Sequence, residues 1–245
     1  MIVKRPWVFL DIGNVIWDDS EGDAFSLATI HQELTVAGLQ VSREDIHNAA
    51  ATAVATYAPS LFRDVIWRFT MPDLDLYRQV KDRVYGAWDR LPDRRYRAWT
   101  RPLPGIGRAL SELKMLGFGL ALASNNSPRA QTRLDELNLL HLFDLQGVSE
   151  TMGLSKPDRR FFSRLLTAAG AGATDAVMVG DRLDNDILPA RLMGLKTIRV
   201  MRGSHLAQRS HDPLFAPDLV IDHPGEISRA VEKLFPPVHL RWGMR

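Results

Sequence analysis

Three apolar runs in this chain stop on polar residues. Trp7-Val8-Phe9-Leu10 stops on Asp11, Leu120-Ala121-Leu122-Ala123 on Ser124, and Ala176-Val177-Met178-Val179 on Gly180-Asp181. Short continuous apolar runs bounded by turn residues read as strands buried on both faces, the pattern of a parallel sheet. Ligands bind beyond the carboxyl ends of such strands, so Asp11, Ser124 and Asp181 fall on one edge. Each residue type there has a use in phosphoryl transfer. A carboxylate can attack as a nucleophile. A hydroxyl and turn N–H groups can hold phosphoryl oxygens, and Lys156 can neutralise charge. Asp181 and Asp186 flank a strand-to-helix turn and can face Mg²⁺, which binds through one or two carboxylates plus phosphate and water. Taken singly, each also has a plainer reading: Asp11 opens a turn, Ser124 caps the helix that Pro128 begins, and Lys156 is a surface lysine.

The elements that must position these residues follow from periodicity and punctuation. Residues 24–37 have a helical pattern that Gly38 stops. Ser42 with Asp45 three residues on predicts a capped helix start, running to about Ala58 before Pro59. Leu76, Tyr77, Val80, Val84, Ala87 and Trp88 form one apolar helical face. No strand pattern interrupts 24–99, which reads as a helical module, with Trp17 to Asp23 as the linker into it. Pro102-Leu103-Pro104-Gly105 marks the return. Helices are then expected over 105–116, from Pro128, over 158–169, 186–193 and 226–234, with further strands near 142–148, 197–200 and 218–221. Strands alternating with helices imply a parallel α/β sheet. The expected organisation is an α/β core of residues 1–17 and 100–245 with a helical domain inserted over 18–99.

Composition narrows the class. The chain has 245 residues, 45% hydrophobic and 24% charged, enough for a sizeable core and a second module. Net charge is +2 with Arg interleaved among Asp and Glu, so no clustered basic face for nucleic acid is expected. There is no cysteine, which excludes disulfides, thiolate metal sites and Cys nucleophiles, and fits a cytoplasmic setting. The apolar run after Pro6 ends at Asp11, too short for a signal-peptide core, and no run approaches a membrane span. Gly117-Phe118-Gly119 precedes its strand and lacks a third glycine, so it is not a dinucleotide fingerprint.

With these residues in order, the sequence resembles the haloacid dehalogenase (HAD) superfamily of phosphohydrolases. Four motifs carry the resemblance: Asp11-Ile12-Gly13-Asn14-Val15, Ser124-Asn125-Asn126, Gly153-Leu154-Ser155-Lys156-Pro157, and Gly180-Asp181-Arg182-Leu183-Asp184-Asn185-Asp186. It covers essentially the whole chain and implies a Rossmann-like core with a small all-helical cap. It implies Asp11 as nucleophile, Ser124 on a phosphoryl oxygen, and Lys156 positioning both Asp11 and the phosphoryl group. Mg²⁺ would be bound by Asp11, the Gly13 carbonyl, Asp181 and Asp186, the last directly or through water. Gly13, Asn14 and Asn125 are expected beside the substrate, a small phosphorylated metabolite.

One position departs from the family pattern. Most phosphatases of the family carry a second Asp two residues after the nucleophile, as acid and base, and here Gly13 stands there. Some apparent sugar-phosphate phosphatases of the family share Asp-x-Gly-x-Val. Asp18, Asp19 or a cap residue are alternative proton donors. Two other readings are a dehalogenase-like hydrolase of a 2-halo acid, which needs no such acid and no metal, and a non-catalytic binding protein of the same fold. In the inserted module, Arg63 and Arg68 have the planar forks that recognise a second anionic group. The alternative is a charged surface with Trp67 in the cap core. Arg182, His31, His205 and His211 are expected in solvent.

Overall fold

The structure, a computed structural model, describes residues 5–210 and 212–235. His211 therefore lies outside the described residues. The chain opens with β1 (Trp7–Leu10) and continues through five helices: α1 (Ser20–Val36), α2 (Arg43–Ala55), α3 (Leu61–Thr70), α4 (Leu74–Asp89) and α5 (Asp93–Trp99). It then alternates as α6 (Ile106–Met115), β2 (Gly119–Ser124), α7 (Pro128–Glu136), β3 (Leu145–Val148), α8 (Ser149–Met152), α9 (Arg159–Ala169), β4 (Ala176–Gly180), α10 (Leu188–Leu192), β5 (Lys196–Val200), β6 (Leu219–Ile221) and α11 (Ile227–Leu234). Two compact units result. One comprises the described parts of Met1–Trp17, Pro102–Arg202 and Ser210–Arg245; the other comprises Asp18–Arg101 and Gly203–Arg209.

The first unit is built on one six-stranded sheet in the order β3-β2-β1-β4-β5-β6, every neighbouring pair parallel. This is the doubly wound Rossmann order, whose direction reverses between β1 and β4. Period-two alternation sends side chains to two separate cores. Val8, Leu10, Leu120, Leu122, Val177 and Val179 pack with α6, α7 and α11, while Trp7, Phe9, Ala121, Ala123 and Met178 pack under α9 and α10. Leu10 is level with Leu122 on one side and Val179 on the other, so β1 ends within one residue of β4, while β2 runs two residues further to Ser124. Among the described residues, no helix is long and apolar enough to cross a membrane.

The second unit has its own core, in which Ile30, Leu34, Ile46, Ala53, Val65, Ile66, Val80 and Val84 from α1 to α4 are buried together. The Ser42–Asp45 capping box forms as its spacing predicts: Ser42 Oγ accepts from Asp45 N at 3.1 Å and Asp45 Oδ2 from Ser42 N at 2.9 Å. Three features differ from expectation. Helix α1 begins at Ser20, inside the stretch read as a linker; Glu21 and Asp23 suit the positive end of its dipole. Residues 203–209, expected in the α/β core, belong to the helical unit, tied by the Tyr57 hydroxyl to the Arg209 carbonyl and by the Ser204 hydroxyl to the Asp23 carboxylate. His205, expected in solvent, is buried.

Packing in the sheet leaves no room at Gly147 on β3. A Cβ there would lie 2.5 Å from the Leu122 carbonyl oxygen and 2.7 Å from a Leu165 methyl carbon. Gly147→Ala is therefore expected to destabilise the protein by about 1–3 kcal/mol, the usual penalty of overpacking. A urea unfolding midpoint lowered at unchanged m-value would show it, and an unchanged midpoint would refute it.

Candidate active site

The level ends of β1 and β4 determine where the carboxylates stand. Asp11 follows β1 and its N–H donates to the Val179 carbonyl at 2.9 Å, docking the turn against β4. The chain then makes a tight loop. Ile16 N donates to Ile12 O at 2.7 Å and Asn14 N to Trp17 O at 2.7 Å, with Asn14 at φ 57°, a left-handed conformation Asn tolerates. The loop turns the Asn14 amide inward, where Nδ2 donates to Asp181 Oδ2 at 3.1 Å. Asp11 Oδ1 accepts from Ile12 N at 2.8 Å, and Oδ2 lies 3.1 Å from Lys156 Nζ.

Asp186 arrives by a different device. The sequence predicts a helix over 186–193, but the chain first makes a wide turn, Leu183–Ile187, with Ile187 N donating to Arg182 O five residues back at 3.2 Å. Such widened turns put an extra residue into the helix start. Asp186 is thereby fully buried, with Oδ1 2.6 Å from Lys156 Nζ and Oδ2 accepting from Arg182 N at 3.0 Å. Gly180 makes the space: a Cβ there would lie 2.2 Å from Asp186 Oδ2. Asp184 is engaged elsewhere, with Oδ1 3.1 Å from Arg182 Nε and Oδ2 2.5 Å from Nη2. Arg182 is thus not in solvent as expected, its side chain being 15% exposed. Burial opposes its charge, but the Asp184 partner and the Asp181 and Asp186 charges outweigh that and raise its pKa.

Lys156 is held at its backbone by Asn125. The Asn125 Oδ1 accepts from Lys156 N at 2.8 Å and Nδ2 donates to Lys156 O at 2.8 Å. Asn125, expected beside the substrate, braces the lysine with its amide. Burial opposes the Lys156 ammonium, but Asp11 and Asp186 outweigh it and its pKa lies above that of an ordinary lysine. Burial raises the Asp186 carboxyl to about 6, against the pull of Lys156.

The structure brings together Asp11, Asn14, Lys156, Asp181 and Asp186. Asp11, Asp181 and Asp186 each offer an oxygen, and the three lie within 4.8 Å of one another. Three hard oxygen donors facing one ammonium leave an excess of negative charge that suits a divalent cation such as Mg²⁺. Ser124, at the end of β2, is buried, as is Gly13 in the loop after Asp11. Arg63 and Arg68 are not in this group. They lie exposed on α3 of the helical unit, Arg63 over the Tyr85 ring at 5.6 Å and Arg68 Nε 2.6 Å from Asp64. Trp67 there is half-buried, edge-on to Tyr77. No local pattern in the sequence marks Gly180 as the cradle of Asp186. Arg199, a buried guanidinium on β5 whose Nε donates to the Asp181 carbonyl at 3.1 Å, is likewise not among the expected site residues. An arginine set between Ile198 and Val200 on β5 is the available signal.

A family model for haloacid dehalogenase-like hydrolases matches residues 6–194, and the chain belongs to that family. It is 33% identical over 138 residues to a glyceraldehyde 3-phosphate phosphatase of Methanopyrus kandleri, covering 56% of this chain and 59% of the relative. It is 35% identical over 150 residues to a phosphoserine phosphatase of Thermus thermophilus, covering 59% of each. The matched stretch thus spans less than two thirds of either relative. A HAD hydrolase of Bacillus subtilis crystallised with magnesium shares the fold, with TM-score 0.59 and 18% identity over 93% of this chain and 99% of that one.

The Gly180 cradle yields a direct test. Gly180→Ala is expected to displace the Asp186 carboxylate and, on the reading of the three carboxylates as a divalent-cation site, to weaken Mg²⁺ binding by about 10–100-fold. Calorimetric titration of the folded variant measures this, and wild-type affinity would show that the cradle is not needed.

Proposed function

We propose that this protein is a Mg²⁺-dependent phosphohydrolase of a small phosphate monoester, with Asp11 as nucleophile. The observation that carries the reading is the Asp11 carboxylate, held at one oxygen by the Ile12 N–H and at the other by Lys156, beside Asp181 and Asp186. The names of the two phosphatase relatives and the magnesium in the Bacillus subtilis structure support it. Asp11, the Gly13 carbonyl, Asp181 and Asp186 would hold Mg²⁺, which when bound offsets the negative charge of nucleophile and phosphoryl group.

In this reading a carboxylate oxygen of Asp11 forms a bond to phosphorus as the ester P–O bond breaks, leaving an acyl phosphate and an alcohol. Lys156 orients Asp11 and offsets charge that spreads over the equatorial oxygens. Ser124 donates its hydroxyl to one of those oxygens. Water then attacks the phosphorus, regenerating Asp11 and releasing inorganic phosphate. With Gly13 at the usual acid position, the leaving oxygen takes its proton from water. The two relatives' names point to phosphorylated three-carbon metabolites as the first compounds to try.

The test is a panel of phosphate esters assayed with Mg²⁺ and with chelator. Turnover is expected only with the cation. Asp11→Asn is expected to lose more than the ~10²–10³-fold typical of removing one transition-state donor. An Asn variant of full activity would overturn the nucleophile assignment, and metal-independent release of halide from a 2-halo acid would overturn the phosphatase reading. The missing acid has its own signature. Aryl phosphates, whose leaving groups need no proton, are expected to outpace alkyl phosphates by about 10²–10⁴-fold in kcat, the usual worth of general acid catalysis. Equal rates would show that another residue supplies the proton.

A further inference from the structure

Arg199 has no part in the mechanism above, yet its surroundings are costly for a charge. It is 5% exposed on a strand whose neighbouring residues Thr197, Ile198 and Val200 are fully buried. A guanidinium removed from water is retained at such a place only with good partners. Its position is informative: Arg199 pairs with Gly180 in the β4–β5 register, level with the strand end that carries Asp181.

We propose that Arg199 is a positioning residue for the divalent-cation site, acting through a single peptide plane. The inference rests on the reading of Asp181 and Asp186 as cation ligands. Arg199 Nε donates to the Asp181 carbonyl at 3.1 Å. That carbonyl and the N–H of Arg182 belong to one peptide unit, which is planar and cannot twist at the C–N bond. The same N–H donates to Asp186 Oδ2 at 3.0 Å. One rigid plate is therefore gripped from both ends, by the guanidinium at its oxygen and by the Asp186 carboxylate at its hydrogen. The plate also contains the Asp181 Cα, from which the other carboxylate springs. Rotating it would break the bond that aims Asp186 and would swing Asp181 as well. A buried apolar residue at 199 could fill the strand but could not hold the plate.

The experiment compares the full chain with Arg199→Met, Arg199→Lys and, as a control on the same strand, Lys196→Met, whose site is exposed. Mg²⁺ binding is measured by calorimetry without substrate, together with far-UV circular dichroism and the rise in Tm on adding Mg²⁺. Arg199→Met is expected to stay folded, to bind Mg²⁺ about 10–100-fold more weakly, and to lose most of the Mg²⁺-induced Tm rise. Arg199→Lys keeps the charge but not the Nε geometry, and is expected to weaken binding at least about threefold, an intermediate loss on the same scale. In turnover, KM for a phosphate ester at saturating Mg²⁺ should stay near wild type while the Mg²⁺ concentration for half-maximal rate rises. Lys196→Met should match wild type throughout. A folded Arg199→Met with wild-type Mg²⁺ affinity overturns the proposal. If that variant does not fold, Arg199→Lys decides, and wild-type affinity there overturns it equally. Failure of both to fold assigns Arg199 to the scaffold alone and also overturns it. A wild-type chain that binds no divalent cation overturns the functional reading itself, and this inference with it.

Discussion

One ammonium among carboxylates is the interaction on which the rest of the α/β unit depends. Lys156 reaches Asp11 at 3.1 Å and Asp186 at 2.6 Å with almost no contact with water. Charges so placed are strongly unfavourable unless each meets a partner, and removing one partner is far worse than never having had the pair. The surrounding structure supplies those partners at a distance in sequence. Asn125 at the end of β2 holds the lysine backbone, and Asn14 donates to Asp181. The ladders β1–β2 and β1–β4 fix the register of these chain ends. A slip of one residue in either ladder would part the cluster and also turn every buried side chain of that strand to the wrong face.

The cluster is not arranged for self-neutrality. One lysine against three carboxylates leaves negative charge in excess even with the Asn14 amide engaged. Burial then lifts Asp186 toward neutrality while Lys156 opposes the rise. An underneutralised group of buried oxygens is suited to a hard cation, whose arrival would complete the charge balance. Arg182 and Asp184 form a separate close pair beside it, which takes a competing carboxylate out of the group.

Much of this was legible in the sequence because it is local or periodic. The apolar runs ending on Asp11, Ser124 and Asp181 marked the sheet, and the parallel α/β class followed from alternation. The Ser42–Asp45 cap depends on residues three apart, and it formed. What escaped reading was long-range. Gly180 looks like an ordinary turn glycine until Asp186 folds back onto it. Asn125 looks like a residue for ligand contact until Lys156, thirty-one positions later, takes both ends of its amide. Residues 203–209 have no apolar period to announce that they pack with helices from the first half of the chain. His205 is buried through that same packing, which no local pattern of polar residues could reveal.

The way the chain leaves and re-enters the α/β unit carries a consequence for its history. Trp17 forms a bridge with Gly13 and another with Pro102, and Leu103 N donates to Ile16 O at 2.7 Å. The two ends of the excursion from Asp18 to Arg101 are thus stitched together beside the loop that follows Asp11. The entropy of closing a loop grows only with the logarithm of its length, about 0.6 kcal/mol per doubling. With its ends already fastened, the excursion can lengthen, shorten or be replaced at little expense to the sheet. Changes in the length of that excursion would leave the register of β1 with β4, and so the placement of Asp11 beside Asp181, untouched.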